Sequence, residues 1–226
     1  MVVLKDLRAA AAAPAARPAA RWRRRKEARP SEILEAALDV FAEKGLTAAR
    51  MDDIAARAGV TKGTIYLYFD NKAAVFKALL TETIADRVRV ARDMVERFDG
   101  PTPELLANIL RFIGGVLITS NRAVLPKLVI GEIAQFPELH RFYREEVIDR
   151  GLAVWEAILT RGIARGEFRP VPVDHLARIC IGPILTAAIW RALFAQFDTE
   201  PYDVHGLIET HIDMLLRGLA ADGAKP

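Results

Sequence analysis

One cysteine, Cys180, is the whole thiol content of the chain. A single thiol excludes an intramolecular disulfide and any multi-cysteine zinc site. It sits in the apolar run Ile179-Cys180-Ile181, where a small core residue is the simplest reading, and it fits a reducing compartment. No apolar run reaches the length of a membrane span. The N-terminus lacks the order of a signal peptide, because Pro14 and Pro18 break its alanine tract and the arginines follow that tract instead of preceding it. A cytoplasmic protein without membrane contact is expected. Catalytic signatures are missing as well. There is no nucleophile elbow and no His-Glu-x-x-His pair, and Gly114-Gly115 falls within a helical pattern, not after a strand. His205 and Glu209 are four apart, a spacing that brings two metal ligands to one helix face, but no third ligand is evident. No enzyme, metal or cofactor is expected.

What is present is a globular composition, 52% hydrophobic and 27% charged over 226 residues, enough for one or two domains with a real core. The net charge of +3 hides an uneven distribution. Residues 1–30 carry nine Lys and Arg against two acids, whereas residues 31–72 and 73–226 each carry a small acidic excess. The basic segment, rich in Ala, Pro and Arg, reads as a disordered arm over 1–29, ending in Arg21-Trp22-Arg23-Arg24-Arg25-Lys26. It is either a solvated tail or an arm that follows phosphates or enters a minor groove.

The stretch 51–72, MDDIAARAGVTKGTIYLYFDNK, organises the rest. Ile54 and Ala55 mark one face of a short helix, and Gly59 offers the cheap left-handed residue that a tight turn requires. Thr61 is a plausible N-cap for a second helix, and Ile65 is its buried side. The outward residues Lys62, Gly63, Thr64, Tyr66 and Tyr68 cannot all be core. They present charge and hydroxyl groups from the N-terminal end of a short helix, the end that meets base edges. Arg50, Thr61 and Lys72 complete the candidate DNA-contacting set, with Lys72 placed for a phosphate.

From Phe41 and Gly45 through Ile54-Ala55, Ala58-Gly59-Val60 and Gly63-Thr64-Ile65-Tyr66 to Tyr68-Phe69 and Lys72, residues 31–80 resemble the DNA-binding domain of TetR-family transcriptional regulators. The segment LVIGEIAQFPELHRFYREEVIDRG resembles the C-terminal domain of an AcrR-like branch of that family. The resemblance implies an all-α homodimer: an N-terminal three-helix bundle with a helix-turn-helix, followed by a helical ligand-binding and dimerisation domain. It implies a sequence-specific repressor of a palindromic operator, released by a small hydrophobic or aromatic molecule.

Apolar periodicity predicts helices over 30–44, 72–98, 103–120, 122–136, 138–165, 174–197 and 203–219. The domains expected are 30–72 for DNA reading and 73–220 for ligand and dimer, with 221–226 a tail. Gly114 and Gly115 suggest either a close helix crossing or an open ligand wall. Helices 174–197 and 203–219 are apolar on more than one side, as a two-fold four-helix interface requires. Candidate pocket residues are the large apolar side chains of the central helices. Phe112, Ile113 and Val116 come from one segment and Leu128 and Phe136 from the next, with Tyr143, Trp155 and Trp190 further on. Arg122 and Glu132 are the polar groups expected to orient a ligand.

Overall fold

The computed structural model describes residues 18–119 and 124–221, with side chains placed for 30–118 and 125–221. Arg122 and residues 1–17 lie outside that set. Among the described residues the secondary structure is helical, in nine helices. Helix α1 spans Pro18–Ala48, α2 Met51–Arg57 and α3 Lys62–Tyr66. Helix α4 covers 72–97 as Lys72–Leu80, a π turn Thr81–Ala85 and Asp86–Arg97. Helix α5 is Thr102–Thr119, and α6 is Val124–Glu132 with a 3₁₀ turn Ile133–Gln135. Helix α7 covers 137–164 with a π turn at Arg144–Asp149. Helix α8 is Val173–Leu193, and α9 is Val204–Leu219.

Helix α1 begins twelve residues before the expected start, so Pro30 lies inside it. Gly45 breaks its helical geometry (φ 79, ψ 165) before a last turn reaches Ala48. A side chain there would collide with Glu132, since a Cβ would stand 2.7 Å from its Oε1. The turn between α2 and α3 closes through Gly59 at φ 65, with the Val60 N–H donating to the Ala55 carbonyl at 2.9 Å. Ala55, 3% exposed, lets the two helices touch.

Two apolar clusters divide the molecule. The first joins α1, α2 and α3 to the start of α4, through Phe41, Ile54, Ile65, Val75 and Phe76. It also takes in Leu125, Leu128 and Val129 of α6, Ile133, and Leu139 of α7. The expected boundary at 72–73 therefore falls at a point the core crosses, because α4 is one rod of about 40 Å shared by both clusters. The second cluster joins the far half of α4 to α5, α7, α8 and α9 around Trp155, Ile158 and Leu159. Helix α9 presses on α5 where a Cβ at Gly114 would meet Ile208 at 2.4 Å, while a Cβ at Gly115 would meet nothing within 4 Å. Arg111 and Glu209 brace the same pair through two 2.7 Å contacts, so Glu209 is already engaged.

Helix α8 departs from the sequence reading in one respect: by length and composition it is apolar enough to cross a membrane. Counting consecutive apolar residues missed it because Arg178, Asp174 and Arg191 lie near its ends. It runs through Pro183 and buries Ala177, Cys180, Ile184 and Ala188. It leaves Ile179, Leu185, Trp190 and the following Phe194 exposed. Burial pushes the Cys180 thiol up to about 12, so it stays protonated and inert.

Candidate functional site

Helix α3 stands at the surface, with Ile65 fully buried beneath it. Thr61 caps it, accepting from the Thr64 N–H at 3.2 Å, and the two threonine hydroxyls are 2.8 Å apart. Lys62 and Tyr66 are exposed, and the Lys62 Nζ pairs with Asp52 at 3.0 Å. That contact raises the lysine's pKa, and with both partners more than half exposed it is readily exchanged for another anion. Gly63 is helical and exposed, and a Cβ on it would meet only the Thr61 hydroxyl, at 4.0 Å. Nothing within the fold requires a glycine there. Tyr68 is half-buried against the first cluster, so only part of its side chain is available outside. Arg50 is exposed at the start of α2, its backbone N–H donating to the Asp53 carboxylate at 3.1 Å.

Lys72 is not the free phosphate ligand expected. Its ammonium donates to the carbonyls of Thr47 and Ala49, the latter at 3.1 Å, and lies 5.8 Å from the centroid of the Phe136 ring. Glu132 joins the same arrangement, accepting from the Thr47 N–H at 2.6 Å, while the Thr47 hydroxyl bonds to Gln135 at 3.3 Å. The end of α6 thus grips the α1–α2 connection, and Glu132 and Phe136 serve this latch, not a cavity. Partial burial pushes the Glu132 carboxyl up, but the hydrogen bonds from Thr47 and Leu46 and the nearby Lys72 hold it below its ordinary value. A carboxylate depressed in the folded state stabilises it above the unfolded pKa and loses that effect as the pH falls through the folded one. Glu132→Gln is therefore expected to lower the melting temperature by a constant amount above about pH 5. The difference should close toward and below about pH 4, as melts across pH on both proteins would reveal.

An apolar cavity of about 140 Å³ lies between α4, α5, α7 and α8. Ile113 and Val116 line it from α5, and Tyr143 and Trp155 line it from α7. The other sequence candidates stand elsewhere. Phe112 packs in the second cluster and Leu128 in the first. Trp190 is exposed, 5.1 Å from Phe194 between ring centroids, with its indole N–H on Asp198 at 3.0 Å. The sequence reading missed Ile84, Arg87 and Val88 of α4, and Val147, Ile148 and Gly151 of α7. For Arg87 a signal existed: three residues after Ile84 and four before the buried Ala91, it falls on the apolar stripe of its helix. A second cavity of about 300 Å³, bounded by Thr83, Leu125 and Pro126, shares the walls Ile84, Arg87, Val116 and Leu117 with the first.

Known proteins match over both halves. Residues 33–79 match the family described as bacterial regulatory proteins, tetR family. Residues 104–210 match a tetracyclin repressor-like C-terminal domain. The fatty acid metabolism regulator protein of Bacillus subtilis is 30% identical over 200 residues, covering 86% of this chain and 98% of that protein. The transcriptional repressor KstR2 of Mycobacterium tuberculosis is 28% identical over 196 residues, covering 86% and 94%. Among solved structures, FadR of Bacillus subtilis in complex with stearoyl-CoA superimposes with a TM-score of 0.70 at 26% identity, over 84% of this chain and 98% of that one. With an exposed short helix on a compact three-helix base and an apolar cavity on the helix that leaves it, this chain belongs to the tetR family of bacterial transcriptional regulators.

Proposed function

We propose that the protein is a homodimeric repressor whose two α3 helices read a palindromic operator and which a hydrophobic effector, bound in the cavity beside α4, releases from DNA. The observation that carries this reading is that the apolar cavity rests on α4, the rod that begins beside the DNA-facing helix. An effector that prefers one setting of this rod shifts the equilibrium by its differential affinity for the two settings. An architectural DNA binder without a ligand would have no use for such a cavity. FadR is described with stearoyl-CoA and KstR2 as a ketosteroid regulator, so relatives of this fold are associated with large apolar molecules.

On the DNA side, Lys62, Gly63, Thr64 and Tyr66 are the residues proposed to meet the major groove, with Arg50 and Thr61 at its edge and Tyr68 contributing its exposed part. Leu67, which the sequence reading set aside, joins them: it is 81% exposed beside Tyr66, and an aliphatic side chain in that position suits a thymine methyl. Lys72 is proposed to act indirectly, by holding the α1–α2 connection. The dimer is proposed to form through α8 and α9, whose Ile179, Trp190, Phe194 and Met214 stand exposed on one monomer. Such large apolar residues need a covering surface. The protein would work where the chromosome is, in the cytoplasm.

Fluorescence anisotropy against the DNA upstream of its own gene, with scrambled DNA as control at several salt concentrations, tests the reading. Operator binding tighter than control is expected, lost in Met214→Glu together with the dimer in analytical ultracentrifugation. A dimer that survives this charge moves the interface elsewhere. Equal affinity for both DNAs removes this operator from the proposal.

A further inference from the structure

Arg87 is the one charged side chain among the described residues that line the two cavities, and it belongs to both walls. Its neighbours on α4 are occupied. Arg89 lies 3.4 Å from Asp86, and Arg92 lies 3.6 Å from Glu96. Arg87 makes no ion pair or hydrogen bond with any described residue, although acids are available on its own helix. On one side of it lies an apolar chamber closed by Trp155. On the other lies a wider space bounded partly by the Thr83 side chain, and Thr83 spends its hydroxyl on the Leu79 carbonyl.

A guanidinium with no protein partner, at the seam between an apolar chamber and a second opening, is poorly matched to a neutral ligand. An apolar molecule filling the first chamber would cover the charge without pairing it, and covering an unpaired charge is unfavourable. An oxyanion at the seam would instead gain a charge-assisted, bidentate contact.

Resting on the effector reading above, we propose that the effector is an acidic amphiphile, a long apolar chain with an oxyanion at or near its head. Its tail occupies the chamber between α4, α5, α7 and α8, and Arg87 receives the oxyanion. The second cavity accommodates whatever continues beyond the head. Arg87 follows the π turn Thr81–Ala85 by two residues, so the head group engages the rod at its irregular turn.

Two sources supply this chemistry, a free fatty carboxylate and the phosphates of a fatty acyl-CoA thioester. Isothermal titration of oleate, oleoyl-CoA and oleyl alcohol, all below micellar concentration, into the wild-type protein, Arg87→Gln and Arg87→Lys distinguishes them. The wild type should bind at least one anionic ligand tenfold or more tighter than the alcohol. Arg87→Gln should erase that preference while leaving the alcohol and effector-free DNA affinity unchanged, and Arg87→Lys should restore part of it. Preference for oleate assigns a carboxylate head; preference for oleoyl-CoA assigns a phosphate. An alcohol that binds as tightly as the anions, or anion binding untouched in Arg87→Gln, overturns the assignment and leaves the effector cavity standing. A wild type that binds none of the three removes this ligand class, and the proposal with it. The repressor reading is then judged separately by the DNA titration.

Discussion

Gly63→Leu is expected to abolish specific operator binding while leaving the fold intact. The residue is helical and exposed, and a Cβ there meets only one hydroxyl, at 4.0 Å. Replacing a helical glycine removes up to about 1 kcal/mol of helix cost, so the melting temperature should hold or rise by at most about 4 °C. The loss appears only against DNA. A leucine side chain between Lys62 and Thr64 holds the backbone of α3 away from the groove floor, so the contacts of both neighbours are lengthened at once. Losing two base contacts at about 1–3 kcal/mol each corresponds to about a hundredfold or more in Kd. Anisotropy and differential scanning calorimetry on the same preparation give both numbers. Operator affinity within threefold of wild type would mean that α3 does not approach DNA with this face.

Gly151→Phe is expected to produce a repressor that no effector can release. Gly151 lines the apolar cavity, and a Cβ there would find nothing within 4 Å. A benzyl group therefore enters a space of about 140 Å³ without displacing backbone. Filling that space with apolar atoms, together with the removal of a glycine from a helix interior, should raise the melting temperature. Operator affinity without effector should match wild type, while the concentration needed for release should rise at least thirtyfold. This variant also separates cavity from head group: Gly151→Phe removes binding of every chain, charged or neutral, whereas Arg87→Gln removes only the preference for anions. Normal release from Gly151→Phe would place the effector in another part of the protein.

Much of the DNA-facing unit was legible before any fold was known, because it depends on neighbours in sequence. Gly59, Thr61 and Ile65 perform their roles within a few residues of one another, and local geometry is what sequence patterns encode. The apolar helices of the second half were legible for the same reason, with ends within a few residues of those observed. The helix periodicity did not show the π turns of α4 and α7. Each adds one residue to a turn without altering the residue types around it.

The cavity was legible only in part. Ile113, Val116, Tyr143 and Trp155 were chosen for size and apolarity, and those properties are shared by Phe112, Leu128 and Trp190, which pack elsewhere or stand in solvent. Composition identifies a residue able to line a cavity; which of several candidates does so depends on how four helices from distant parts of the chain are rotated against one another. Glu132 and Lys72 carry the same lesson for charge. Each looked available for a ligand or a phosphate, and each is spent on the backbone of residues 47–49, at least 23 positions away in the chain. Arg87 is the reverse case: an unremarkable cation in the sequence, left without a partner by packing that seats it between two cavities. The sequence by itself determined the helices, their apolar faces and the chemistry offered to DNA, because these follow from short-range periodicity and capping. Only the tertiary structure decided which charges were satisfied and where space remained, because both depend on contacts between residues that the chain holds far apart.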